Sequence, residues 1–225
     1  MSFLFKDRTD AGERLSELLP HYRARPRTVV VGLSRGGVPV AAALSRSLEL
    51  PLDALPVRKL GIPGFDQTAF GAVAWIGGKC VRLLNKPLHA RVQAHGVTRT
   101  SLAAIEVQER SEVARRAALY GAAQRSVTDA TVLLVDDGMA TGATMRAAVE
   151  AVRASGAGSV VVLAPVASAV AAAALDRVSD AVLYLHLPGK FHAVGSFYTE
   201  FEKVTDDDVV CHLLAQQPTG PVSRG

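Results

Sequence analysis

The sequence predicts an α/β protein built on a doubly wound parallel sheet, with a β-hairpin beside a flexible loop. Three observations predict it. Runs of mostly β-branched apolar residues, 28–33 and 132–135, read as strands buried on both faces, which a parallel sheet covered by helices requires. Strand and helix patterns alternate through the second half of the chain, the order of a doubly wound sheet. The two most glycine-rich strand-to-helix turns, Ser34-Arg35-Gly36-Gly37 and the turn after Asp136-Asp137, both follow a core strand, where such sheets hold their ligands.

At 225 residues the chain suits a single domain over 1–217, followed by a tail at 218–225 expected to be disordered. Hydrophobic residues at 49% and charged residues at 20% describe an ordinary globular protein. The longest apolar stretch, 160–175, is broken by Pro165 and Ser168, so no membrane span is expected. Cys80 and Cys211 are far apart, which fits a reducing compartment, and no leader pattern opens the chain, so a cytoplasmic location is expected. A net charge of +4 suits anionic ligands and is too small and dispersed to indicate nucleic acid.

In chain order, Thr9-Asp10 can cap a first helix that carries Ala11, Leu15, Leu18 and Leu19 and is stopped by Pro20. Strand 28–33 leads through Ser34-Arg35-Gly36-Gly37 into an amphipathic helix over 38–48. Strand 52–57 runs into Arg58-Lys59, a basic pair whose place at a strand end suits a polyphosphate ligand. The glycine-rich stretch 61–71, broken by Pro63, reads as a lid or binding loop. Segments 72–75 and 80–84 read as a hairpin across Gly77-Gly78. A helix over 98–120, capped by Thr100 or Ser101, is heavily charged and reads as a solvated face or a dimer surface. Helix 143–155 ends at Gly156, and strand 159–164, helix 168–178 and strand 181–185 complete the series. The aromatic-rich segment 186–198 precedes a last helix over 206–215.

The chemistry concentrates in Asp136-Asp137-Gly138-Met139-Ala140-Thr141-Gly142-Ala143-Thr144. Two adjacent carboxylates suit the cis-diol of a ribose, because each accepts a hydroxyl proton in a charge-assisted bond. The small-residue turn beyond them aims backbone amides inward and opens a helix, an arrangement that binds phosphate. The lysine-bearing triphosphatase loop and the dinucleotide glycine fingerprint are both absent from this run. No Ser-His-Asp set or Cys/His metal cluster has convincing spacing, so no protein metal ligand is expected. The bland alternative is a tight turn with two solvated aspartates.

Residues 132–144, an apolar strand, two acids, three loop residues and Thr-Gly-x-Thr, resemble the phosphoribosyl pyrophosphate (PRPP) signature of the type I phosphoribosyltransferases. Ser34-Arg35-Gly36-Gly37 resembles that family's pyrophosphate loop, most closely that of bacterial xanthine-guanine enzymes, a loop that often carries a non-proline cis peptide. The order of elements over 28–187 matches the type I core. The resemblance implies that PRPP and a nitrogenous base are the ligands and Mg²⁺ the cofactor, held mainly by PRPP. It further implies that Asp136 and Asp137 grip the ribose and that 138–144 hold the 5′-phosphate. Ser34, Arg35, Gly36, Gly37, Arg58 and Lys59 would take the pyrophosphate, with Lys59 and Asp137 the catalytic residues and 61–71 the mobile loop. A hood of terminal segments would bind the base, with Phe191 and Tyr198 as stacking candidates and Phe197 and Phe201 read as packing residues. Ala140 stands where many 6-oxopurine enzymes carry an acid, which points away from hypoxanthine and guanine. The hood is similar to that of a bacterial group whose acceptor is unassigned. A PRPP- or nucleotide-binding regulator of the same fold is the alternative function.

Overall fold

The computed structural model describes residues 4–62, 65–84, 97–121 and 125–216. Helix α1 (Arg8–Ser16) leads to β1 (Thr28–Leu33), α2 (Gly37–Leu48), β2 (Leu52–Leu55), β3 (Val57–Ile62), β4 (Phe65–Ile76) and β5 (Lys79–Leu84). Then follow α3 (Arg99–Tyr120), β6 (Thr131–Val135), α4 (Ala143–Ala154), β7 (Ser159–Val166), α5 (Ala169–Leu175), β8 (Ala181–His186) and α6 (Asp206–Leu214). The expected tail at 218–225 lies outside the described residues.

Five strands form a wholly parallel sheet in the order β2-β1-β6-β7-β8. Alternation along each strand divides its residues between two cores. Val30, Leu133, Val161 and Leu163 face α1 and α2 and pack with Leu15, Val40 and Leu44. Val29, Val31, Val132, Leu134, Val160 and Val162 face the other way and pack with Met145, Ala148, Val152 and Leu175 of α4 and α5. Because every central strand is covered twice, its sequence is continuously apolar.

The expected strand 52–57 is two strands. Pro56 has no amide to give the ladder, so β2 ends at Leu55 in the main sheet and β3 begins at Val57 in a separate antiparallel sheet, β3-β4-β5. That second sheet also takes in most of the stretch expected as a lid. Gly61 pairs with Ala69 and Ile62 with Phe65 across two register shifts, and Leu60, Ile62 and Phe70 are buried against Leu102 and Val113 of α3. Burial of those apolar residues outweighs the glycines' preference for loop. The Gly77-Gly78 hairpin forms as expected, with φ of 56° and 74° and Ile76 opposite Lys79, which only a two-residue turn of positive φ allows.

Two helix starts differ from the expected caps, and a third shows its cap only in the structure. Asp7, not Thr9 or Asp10, caps α1 by accepting from the Asp10 amide. Thr98 caps α3 by accepting from the Ser101 amide. Thr205 and Asp208 form a reciprocal capping box on α6. Helix α3 is also not a wholly solvated face: Leu102, Val113, Arg116, Ala117 and Tyr120 are buried along one stripe. Cys80 and Cys211 are both free thiols, and no helix among the described residues is long and apolar enough to cross a membrane.

Candidate functional site

The winding of the sheet reverses between β1 and β6. From β1 the chain steps outward through α2 to β2, and from β6 it steps the opposite way through α4 to β7. The crevice beyond the C-terminal ends of two such strands is where open α/β sheets bind ligands. Gly32 is in register with Val135, so the turns that follow, 34–37 and 136–144, emerge as neighbours. They touch closely. A Cβ on Gly36 would lie 2.3 Å from Asp137 Oδ2, and one on Gly37 would lie 2.4 Å from the Val135 carbonyl oxygen. These two glycines are required by the approach of one turn to the other. The Ser34–Arg35 peptide is cis, as the family resemblance implies.

Beyond the acids, Gly142 takes a left-handed φ of 72° and starts α4 with no side-chain cap. Of the helix's first-turn amides, that of Ala143 donates to the Thr141 hydroxyl at 3.4 Å, and a helix start without a cap leaves such amides able to meet an anion. Asp136, Val194 and residues 138–145 line a cavity of about 160 Å³ at that point.

The acid pair is electrostatically costly. Burial pushes the Asp136 carboxyl well above the ordinary carboxylate range, and the like charge of Asp137 adds to the rise. Burial also raises Asp137, against the pull of Arg8. Asp136 Oδ1 accepts the Asp137 amide at 3.0 Å, which fixes the first acid. The second is held from two sides. Arg8, at the start of α1, places Nε and Nη2 each 2.9 Å from Asp137 Oδ2 and donates through Nη1 to the Glu202 carbonyl at 2.8 Å. Its guanidinium carbon sits 3.8 Å from the Phe201 ring centroid. From the hood, the Tyr198 hydroxyl donates to the Asp137 carbonyl at 2.7 Å.

A cleft of about 490 Å³ joins these groups: Arg8, Ser34, Arg35, Gly36, Arg58, Arg116, Asp136 and Asp137, with 201–204 along one side. The structure brings together most of the residues expected from sequence, with three exceptions, Lys59, Tyr198 and Phe191, which line neither cavity. Arg58 and Lys59 do not act as a pair, because consecutive residues on β3 point to opposite faces. Arg58 lines the cleft of the acid pair, while its Nε donates to Glu109, in a neighbouring hollow on α3, at 2.6 Å. Lys59 lines a different cleft of about 620 Å³, between the second sheet and α4, with Thr141, Gly142 and Arg146.

Tyr198 is the second exception. Its side chain is 1% exposed and packs between Phe5 and Phe201, at centroid distances of 5.3 and 5.0 Å. That burial leaves no ring face for a base, and the residue instead positions Asp137. Phe191 stays half-buried in the hood, 5.5 Å from the Phe197 ring.

A model of the phosphoribosyl transferase domain matches residues 10–183. The chain belongs to the phosphoribosyltransferase family. It is 40% identical over 212 residues, 93% of this chain, to Rv0571c of Mycobacterium tuberculosis (strain ATCC 25618 / H37Rv), provisionally named a phosphoribosyl transferase, and matches MT0597 of strain CDC 1551 / Oshkosh equally. The match covers 46% of each relative, so the chain spans about half the length of these curated proteins. The crystal structure of TT1426 from Thermus thermophilus superposes with a TM-score of 0.79 at 39% identity, covering 94% of this chain and 98% of that one.

Within this chain, sequence reasoning missed Arg8, Arg116 and the strip 201–204. Arg8 lies 129 positions from its partner, and no local pattern announces such a contact. Arg116 did leave a signal. It follows Val113 by three positions and precedes Tyr120 by four, which puts a charge on the apolar stripe of a helix.

Proposed function

We propose that this protein transfers the 5-phosphoribosyl group of PRPP to a nitrogenous base and releases pyrophosphate. One observation carries the reading: the turns after β1 and β6 converge on a single cleft at the reversal of the sheet, with Gly36 against the carboxylate of Asp137. In this reading Asp136 and Asp137 accept the ribose hydroxyls, the amides of 138–144 hold the 5′-phosphate, and Ser34 to Gly37 with Arg35 and Arg58 take the pyrophosphate. Displacement at C1 builds positive charge on the sugar and negative charge on the departing group, so catalysis consists of holding the reactants in line and stabilising both charges. Phe191 in the hood supplies the surface for the base.

Mg²⁺ fits as a cofactor carried by the substrate. Among the described residues no cluster of three or more His, Cys, Asp or Glu could hold a metal, and Asp137 already has a cation against it. A magnesium ion that keeps its waters and binds chiefly to phosphate oxygens suits such a site. When bound, it neutralises the departing pyrophosphate.

A second reading, a PRPP- or nucleotide-binding regulator, draws on the pairing of 61–62 with 65 and 69, which makes sheet of a stretch expected to close as a lid. One experiment decides between them: incubation with PRPP, Mg²⁺ and a panel of purine, pyrimidine and other heterocyclic bases while pyrophosphate is followed. Release that depends on a base establishes the transferase. Tight PRPP binding with no release from any base establishes the regulator.

A further inference from the structure

We infer that Tyr120 of α3 and Asp206 of α6 are positioning residues of the candidate site, which hold the turn 34–37 in place without touching a ligand themselves. The inference rests on the phosphoribosyl reading and adds to it two residues that neither sequence motif contains. Neither of them lines the cleft of the acid pair. Tyr120, the last residue of α3, is 6% exposed, and its ring packs in one cluster with Val38 of α2, Ala54 of β2 and Val209 of α6. Two of these neighbours bracket the turn. Val38 follows it directly and gives its amide to the Arg35 carbonyl at 3.1 Å, while the Ser34 amide is held at 3.1 Å by the carbonyl of Leu55, next to Ala54. The Ser34 hydroxyl, on the cleft wall, lies beside the Tyr120 oxygen. A rigid ring thus stands behind the turn where it begins and where it ends.

The ring is fixed through its hydroxyl. A buried phenol needs a hydrogen-bond partner, and that of Tyr120 donates to Asp206 Oδ1 at 2.6 Å, the short length of a charge-assisted bond. Asp206 Oδ2 accepts from Arg115, also at 2.6 Å. Burial works against the charge on Asp206, yet the bonds from Tyr120 and Arg115 and the charge of Arg116 hold its carboxyl below the usual carboxylate range, so it is ionised at neutral pH. Burial, and then the bond to Asp206, push the Tyr120 hydroxyl well above the ordinary phenol range, so it remains the donor. Arg35 reaches from the turn to within 3.8 Å of Asp206 Oδ1, and Arg116 stands at the same distance. One anchored carboxylate therefore sets where two guanidinium groups of the cleft rest. Charged groups held in place beforehand bind a ligand without the cost of ordering them, and a site left about 1 Å too loose loses that advantage.

The test is calorimetric titration of the whole protein with pyrophosphate plus Mg²⁺ and, separately, with ribose 5-phosphate. Tyr120→Phe keeps the ring and removes the bond to Asp206. It should weaken pyrophosphate binding by about tenfold, the loss of one well-placed charged contact, and leave ribose 5-phosphate affinity within about twofold. Asp206→Glu keeps the charge in the first turn of α6 and shifts the carboxylate by one methylene. It should show the same selective loss, and it carries the test should Tyr120→Phe fail to fold. Residues that only stabilise the fold would weaken both ligands alike or neither, and either result overturns the assignment. So does a wild type that binds ribose 5-phosphate but no pyrophosphate, because the turn then holds no ligand to be positioned for. A wild type that binds neither ligand sinks the phosphoribosyl reading as a whole, whereas a wild type that binds both, with no selective loss in the variants, sinks this inference alone.

Discussion

Arg8 gives two of its guanidinium nitrogens to one oxygen of Asp137, each at 2.9 Å, with side-chain exposures of 11% and 14%. A helix otherwise devoted to packing against α2 and the sheet thus supplies the counter-ion of the acid pair. Removing one partner of such a buried pair leaves the other uncompensated.

Arg8→Gln should therefore destabilise the fold by about 3 kcal/mol in urea unfolding. It should also change how ribose 5-phosphate binding responds to pH. The acids accept hydroxyl protons best when ionised, and Arg8 favours that form, so its loss should move the pH at which affinity rises upward. The other charges facing Asp137 are Asp136, Arg35, Arg58, Arg116, Glu202 and Lys203, and all are left in place by the substitution. An unchanged pH profile would show that Arg8 has only a structural role.

The two acids should respond unequally to neutralisation. A carboxyl whose native pKa is raised binds its proton more tightly folded than unfolded. Its favourable contribution is then complete below the ordinary value of 3.8 and is lost as pH climbs through the raised native value. Asp136→Asn keeps an oxygen for the Asp137 amide and removes the like charge. At pH 7 it should raise Tm by about 2–4 °C, the equivalent of about 1 kcal/mol in a chain of this size, and the gain should shrink on acidification. Asp137→Asn likewise removes an ionised carboxyl held in burial but leaves Arg8 without its partner, so its Tm should rise less than that of Asp136→Asn. Both substitutions should weaken ribose 5-phosphate binding, measured by calorimetry.

Gly36→Ala places a methyl carbon 2.3 Å from Asp137 Oδ2, a separation that no relaxed side chain tolerates. Either the carboxylate or the turn must move, at a cost of about 1–3 kcal/mol. Thermal shift with ribose 5-phosphate should disappear in this variant, while the circular dichroism of the α/β fold is retained. A variant that binds as the wild type does would show that the turns can separate freely.

Arg58→Ala and Lys59→Ala should separate the two clefts. Arg58 shares its cleft with Ser34, Arg35 and Arg116, whereas Lys59 faces Thr141 and Arg146. Pyrophosphate affinity should fall by about tenfold in the first variant, as expected for one charged contact, and far less in the second. Equal losses would mean that the second sheet rotates on binding and brings Lys59 across.

The sequence disclosed those parts of the site that are contiguous. The acid pair, the turn that follows it and the glycine pair after β1 each lie within one strand-turn-helix, so spacing alone carries their geometry. The parallel sheet was legible for a related reason, since double burial writes itself as unbroken apolar runs such as 132–135. Contacts made by folding were not legible. Arg8 reaching Asp137, Tyr198 turning inward and Arg116 entering the cleft all depend on how distant segments pack. The second sheet was misjudged because Gly61, Pro63, Gly64 and Gly71 argue locally for a loop, and only the packing of Leu60, Ile62 and Phe70 against α3 favours a strand.

The hood is fastened by the opposite end of the chain: the amides of Leu4 and Phe5 both donate to the Phe197 carbonyl at 3.0 Å, and the Thr199 amide donates back to Phe5 at 2.9 Å. Translation delivers these parts in a fixed order. A ribosome releases Arg8 early and the two aspartates much later, and until 197–202 have followed, neither Tyr198 nor the Glu202 carbonyl is there to hold the arrangement. Until then Asp137 lacks the Tyr198 contact and Arg8 lacks its Glu202 anchor. A fully held Asp137 would then report that synthesis has run past residue 202.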